Sequence, residues 1–202
     1  MKFIFNVKYF FIFLFVFVKK IEVKQTNKLN LNSNKTICLI GNLKYPSEYL
    51  YASNNPNFNN KRRVFTNHLE SVNILHANQM IWILNPVKWI KNTFYITSLY
   101  YINHHLCASH QHFDSFNHRR DILLYHLNKE SLITNKKCMW KLHPVDSNQT
   151  YTIWNMNYKE PLYAASFLFK TSKTNQRSVY LWHNSPDSLQ FNWNVDCIEA
   201  KL

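Results

Sequence analysis

The sequence predicts an all-β fold built from three tandem copies of one unit of about 55 residues, because three separate motifs recur at nearly constant spacing. The first is Tyr49-Leu50-Tyr51-Ala52-Ser53, repeated as His105-Leu106-Cys107-Ala108-Ser109 and Pro161-Leu162-Tyr163-Ala164-Ala165, with the alanines 56 residues apart both times. The second runs from Arg62 to His68, Arg120 to His126 and Arg177 to His183, at intervals of 58 and 57. The third is Trp82-Ile83-Leu84-Asn85-Pro86, Trp140-Lys141-Leu142-His143-Pro144 and Trp193-Asn194-Val195-Asp196-Cys197, at intervals of 58 and 53, so the last unit is shorter by a loop.

The chain begins with Lys2 and Lys8, an unbroken apolar run from Tyr9 to Val18, then Lys19 and Lys20, the layout of a secretory signal peptide. The run is too short for a membrane-spanning helix, which needs roughly 20 apolar residues. Residues 1–24 therefore read as a signal peptide without a transmembrane anchor, and 25–35 as a linker. The repeats occupy about 36–89, 90–147 and 148–198 within a domain of residues 36–202.

Each unit shows four β-prone stretches. It opens on alternating apolar positions, Cys38 and Ile40, Phe94 and Ile96, or Tyr151 and Ile153, and continues through the Leu-x-Ala, Arg-x-Val/Ile and Trp-x-Leu/Val stretches. Ser53 to Lys61 and Ser109 to His118 are polar and read as loops. Gly41 is the only glycine, so turns that need positive φ are expected to fall mainly to the 27 asparagines. Three units of four short strands closing on themselves give a twelve-stranded β-trefoil, half barrel and half capping hairpins, with no exposed edge of the kind an open stack would leave.

Composition excludes a disordered chain, since 46% of the residues are hydrophobic and 16% aromatic. The net charge is +13, and because residues 1–24 hold five lysines and one glutamate, a chain without them keeps +9. A basic protein on the secretory route favours sulfated glycans or other anionic surfaces and not nucleic acid.

The four cysteines, Cys38, Cys107, Cys138 and Cys197, contain no Cys-x-x-Cys pair and imply two disulfides in an oxidising compartment. Three connectivities are open. In a closed trefoil the opening strand of unit one neighbours the last strand of unit three, which pairs Cys38 with Cys197 and leaves Cys107 with Cys138. The sequons at Asn34 and Asn148 are expected as surface glycosylation sites.

The blocks Tyr-Leu-Tyr-Ala-Ser, Arg-Arg-Val-Phe-Thr and Trp-x-Leu-x-Pro-Val resemble the repeats of insect-type secreted β-trefoil proteins and, more loosely, ricin-type lectin domains and the trefoil half of silkworm hemolymph lipoproteins. The resemblance spans Thr36 to about Ile198 and implies a scaffold used for binding. Ricin-type units end in Gln-x-Trp and place an aspartate early in each unit. The corresponding tripeptides here are Met80-Ile81-Trp82, Cys138-Met139-Trp140 and Phe191-Asn192-Trp193, and no aspartate recurs, so those sugar-site residues do not carry over.

Each repeated residue has a structural role to set against a functional one. Trp82, Trp140 and Trp193 are flanked by Leu or Val and read as core, where each ring removes about 2 kcal/mol or more of apolar surface from water. Arg62, Arg120 and Arg177 read either as an anion grip or as a contact repeated by the threefold. His68, His126 and His183 would hold a metal only if the threefold axis brought them together. His104, His105, His110, His112 and His118 lie in and around a polar loop, where they can bind metal adventitiously or become cationic in mild acid.

No nucleophile elbow, phosphate loop or metalloprotease helix is present, and the acidic residues are few and scattered, which argues against an enzyme and against a cofactor. The function expected is lectin-like binding of glycans or glycoproteins, acidic ones favoured. Lys61, Arg62, Arg63, Arg119, Arg120 and Arg177 are the candidate ligand contacts. The alternative is a protein-directed secreted factor, such as a protease inhibitor, a growth-factor-like ligand or a hemolymph or storage protein.

Overall fold

Alternating apolar residues on short β-prone segments can bury one face only if the segments pair into a sheet that curls around that face. A computed structural model shows how the pairing is achieved and describes residues 34–56, 61–69, 74–114, 118–146, 149–171, 174–183 and 189–201. The expected signal peptide and the sequon asparagine Asn148 lie outside these residues, as does the linker except for its last two positions. Asn34 is the first residue of the first strand.

Twelve strands follow in order: β1 (Asn34–Asn42), β2 (Glu48–Pro56), β3 (Arg62–His68), β4 (Ile81–Pro86), β5 (Thr93–Ser98), β6 (His104–Asp114), β7 (Arg119–His126), β8 (Met139–Pro144), β9 (Thr150–Asn155), β10 (Leu162–Thr171), β11 (Thr174–Leu181) and β12 (Asn192–Lys201). A single turn of helix, α1 (Lys129–Ile133), starts at Asn128, whose side chain accepts the Ser131 N–H. No helix among the described residues is long and apolar enough to cross a membrane.

The all-β expectation holds, but the expected trefoil of three repeats with four short strands each is corrected. The strands form one antiparallel sheet in which ten of them, β11-β3-β2-β1-β12-β9-β8-β5-β6-β7, close into a barrel through the β11–β7 pairing. β10 is attached to β11, and β4 bridges β1 and β5. The four strands of a sequence repeat are not a self-contained unit. β1 touches its own successor β2 only at Gly41↔Tyr49, whereas it pairs with β12 from Asn34↔Lys201 to Asn42↔Trp193 and with β4 from Thr36↔Leu84 to Leu39↔Ile81. A unit of four strands would leave N–H and C=O groups unpaired on its outer strands, and only pairing across repeat boundaries satisfies them. Several strands are also long, with β6 running for 11 residues.

The expected loops are shorter than their polarity suggested for the same reason. β2 continues to Pro56 and β6 to Asp114, into segments read as loops, because a β-bulge follows the repeated alanine in each hairpin. The register shifts after Ala52, Ala108 and Ala164, so the inside–outside alternation that marks a strand is broken at that point.

The core is threefold. Trp82, Trp140 and Trp193 are fully buried, and their indole N–H groups donate to the carbonyls of Leu50, Leu106 and Leu162 at 3.0, 2.7 and 3.1 Å. Each ring therefore buries its apolar area and has its one donor satisfied. Around them pack Ile40, Leu50, Ile96, Leu106, Leu124, Ile153, Leu162 and Leu181.

Asparagine serves mainly by another route than the positive φ expected of it. Of seven described residues with positive φ, only Asn92 and Asn103 are asparagines, the others being Ser47, Trp89, His118, Gln149 and Lys159. Asn42, Asn135 and Asn155 instead accept backbone N–H groups two residues on, from Lys44, Lys137 and Asn157, and so hold turns by their side chains. Gly41 is not in the positive-φ region, and its role is room: a Cβ there would come within 3.2 Å of the Tyr49 ring.

Two disulfides are present, Cys38–Cys197 and Cys107–Cys138. The first links β1 to β12 at directly opposed residues.

Candidate functional site

The bulge after each repeated alanine turns two carbonyls out of the ladder, and the repeated arginine satisfies them. Arg120 Nη1 donates to the carbonyls of Ser109 and His110 at 3.2 and 2.7 Å, and Arg177 Nη1 to those of Ala165 and Ser166 at 2.9 Å each. Arg62 Nη1 does the same with Ser53 and Asn54, at 3.5 and 2.6 Å. One face of each guanidinium lies on a tyrosine of the following repeat: Arg62 on Tyr101 at 4.0 Å, Arg120 on Tyr158 at 3.5 Å and Arg177 on Tyr45 at 3.4 Å.

The remaining edge of the guanidinium distinguishes the three copies. Arg177 gives Nε and Nη2 to Glu48 at 2.9 and 3.0 Å, and Arg120 gives the same pair to Glu160 at 3.0 and 3.4 Å. Both are planar two-point contacts between charged groups, the strongest ordinary kind. At the corresponding place opposite Arg62 the chain has His104. Arg62 Nε is buried and has no hydrogen-bond partner.

Arg120 and Arg177 are thus scaffold residues, 6% and 7% exposed, with their donors directed inward. The structure separates them from the other four predicted contacts. Lys61 lies with Nζ 4.6 Å from the Tyr125 ring centre. Arg119 lies over Phe167 and Tyr180 at 5.6 and 5.4 Å. Arg63 is exposed on β3, opposite Leu123 of β7, and Arg62 is half-buried. The β3–β7, β7–β11 and β11–β3 pairings bring the three hairpins together at one end of the barrel, where these cations collect. Asp121 is their local acid: burial pushes its carboxyl up, while Arg63 beside it pulls down. The other barrel end holds an open hollow of about 410 Å³ lined by Thr36, Leu84, Phe94, Leu142, Tyr151 and Val195 among others, without a charged side chain.

His68 and His126 stay with their own hairpins, and His183 follows the end of β11. His68 Nε2 is 3.5 Å from Glu48, and His126 faces His104 across β6 and β7 with ring centres 5.2 Å apart. His104, His105, His110 and His112 belong to β6 and not to a loop, and His112 Nε2 accepts from Arg120 Nη2 at 2.8 Å. Among the described residues no three His, Cys, Asp or Glu side chains are placed to hold one metal ion.

His105 is the most perturbed of these. It is buried on β6, its Nδ1 is 2.9 Å from Thr97 Oγ1, and burial lowers its pKa from 6.5 to about 4, with His104 and His126 adding to the effect against a bond to the Leu127 backbone. The folded state therefore binds its proton less readily than the unfolded chain. The stability His105 contributes is complete above pH 6.5 and is lost as pH falls toward about 4. Urea midpoints measured across this window should fall with acid in the wild type and fall less in His105→Gln.

Sequence reasoning missed Glu48, Glu160 and the three tyrosines. Glu48, His104 and Glu160 each stand four residues before the repeated alanine, so extending the first motif upstream by that much finds them.

No family model and no curated protein matches the sequence. Solved structures do match in fold. An SDF2-like protein from Arabidopsis thaliana is 12% identical with a TM-score of 0.65, over 83% of this chain and 96% of that one. A salivary protein of Culex quiquefasciatus from the cysteine and tryptophan-rich family is 18% identical with a TM-score of 0.57, over 84% and 98%. The Polyporus squamosus lectin, in complex with a sialylated epitope, is 16% identical with a TM-score of 0.57, over 81% of this chain and 49% of the lectin. These proteins share a trefoil-like fold with the chain.

Proposed function

We propose that this is a secreted, non-enzymatic, lectin-like protein that binds acidic glycans through the hairpin end of the barrel. The observation that carries the reading is the grouping of Lys61, Arg63 and Arg119 with the rings of Tyr125 and Phe167 on three hairpins that meet there. Rings stack on the apolar faces of sugars while guanidinium and ammonium groups pair with sulfate or carboxylate. Phe167 is 45% exposed, which leaves ring surface for a ligand. The net charge of +9 without residues 1–24 draws a polyanion to the protein as a whole. The two disulfides fit an oxidising compartment, and the lectin among the fold relatives supports the ligand class.

Binding of this kind exchanges counterions for Lys and Arg, so affinity falls steeply as salt rises. The wild type should be retained on a heparin column above roughly 0.2 M salt, where the screening length is already under about 8 Å. The triple variant Lys61→Ala, Arg63→Ala, Arg119→Ala should elute below that point. Equal elution of the two proteins, or release of the wild type below it, would leave only nonspecific charge and make a protein-directed factor the better reading.

A further inference from the structure

We propose that the Arg62 position is a subsite for an external carboxylate, which takes the place that Glu48 and Glu160 hold beside Arg177 and Arg120. The three sites share every other part. Each arginine caps the two bulge carbonyls of its hairpin with Nη1 and lies flat on a tyrosine from the next repeat. In two of them a glutamate then takes Nε and Nη2 together. In the first, that residue is His104, which lies close enough for the Arg62 charge to help hold its pKa down, after burial as the main cause.

The guanidinium is fixed for a partner. Nη1 is committed to the Ser53 and Asn54 carbonyls, and the Tyr101 ring beneath it is held by hydrogen bonds from its hydroxyl to Asn54 Oδ1 and from Gln79 Nε2 to that hydroxyl. Nε donates to no protein atom, a condition that costs free energy for a charged donor, and it is shielded from solvent, so an external carboxylate reaches it as the His104 side chain at that edge swings aside. A planar acceptor with two oxygens matches the free edge, which favours carboxylate over sulfate, as the glutamates in the sister sites illustrate. His104 packs at 5.7 Å from Tyr101 between ring centres, and Tyr100 beside it is 44% exposed, so aromatic surface borders the subsite. On the glycan reading above, on which this inference rests for its ligand class, the carboxylate is that of a uronate.

The test is the NMR signal of the Arg62 side-chain Nε–H during titration with sodium glucuronate, with the Arg120 and Arg177 signals as internal references already bonded to glutamate. The Arg62 signal should move toward the references and saturate with a dissociation constant on the order of 1 mM, and sodium sulfate should shift it less. His104→Glu should supply the carboxylate internally. Its Arg62 signal should start at the reference position and ignore glucuronate, its melting temperature should rise by about 2–4 °C, and its elution from heparin should move to lower salt, since the uronate subsite is filled. A wild-type Arg62 signal that glucuronate does not move, or a His104→Glu protein that responds like the wild type, overturns the subsite, whatever the heparin column shows. A stronger response to a peptide ending in glutamate than to glucuronate overturns the uronate assignment and makes the ligand a protein.

Discussion

Replacing Glu48 with glutamine should cost on the order of 3–5 kcal/mol of stability, the amount expected when one partner of a buried ion pair is removed and the other stays charged. Glu48 is 3% exposed and accepts Nε and Nη2 of Arg177 as well as the Thr66 hydroxyl, all within 3.0 Å. Glutamine keeps the shape but brings an NH2 group against donors and leaves the guanidinium uncompensated. The loss is a large share of the 5–15 kcal/mol that holds a typical domain together. Glu160→Gln should cost less, because Arg120 Nη2 also has His112. Replacing both members, Glu48→Met with Arg177→Met, should recover part of the loss and not all of it. The charge problem disappears, but the carbonyls of Ala165 and Ser166 lose their donor. Urea unfolding of the two single variants and the double variant gives the coupling directly. A cost below about 1 kcal/mol for Glu48→Gln would mean that the pair contributes as little as a surface one.

The recurrences at 53 to 58 residues expose the three tryptophans, and their core role is readable because Leu or Val flanks each one. What periodicity cannot show is which strands lie side by side. Alternation tells which residues face inward, whereas the pairing of β1 with β12 and β4 depends on closure of the whole sheet. The strands β2 and β6 run past the end of their alternation because a bulge breaks it at the place where Ser53 and Ser109 make the segment look like a loop. The arginines recur visibly in the sequence, but charge alone does not distinguish Arg63, which faces solvent, from Arg120 and Arg177, which do not. That distinction lies in the glutamate of the next repeat, about 40 residues from Arg120 and 129 from Arg177 in sequence. Two of the six candidate contacts, Arg120 and Arg177, are therefore framework, and His104 marks the one repeated arginine whose outer edge the framework does not complete.

Removing Cys38–Cys197 should destabilise the protein more than removing Cys107–Cys138, by about 1.4 kcal/mol in the loop-entropy account. The first bond closes a sequence separation of 159 residues and the second one of 31. The full costs are then about 5 and about 4 kcal/mol. Serine pairs at both sites introduce two hydroxyls each, so that contribution largely cancels in the comparison. The first bond also sits where the first and last of the twelve strands pair, with β1 and β12 in register over their shared length, and its loss should let that seam open before the rest of the barrel. Hydrogen exchange of the β1 amides should accelerate in Cys38→Ser, Cys197→Ser while the β6 and β7 amides change less, and the urea midpoint should be the lower of the two variants. The reverse order of midpoints would place the larger contribution in the local cluster of Tyr95, Leu132 and Met139 around Cys107 and Cys138, both of which are almost fully buried. In that case packing, and not chain closure, is what the second disulfide secures.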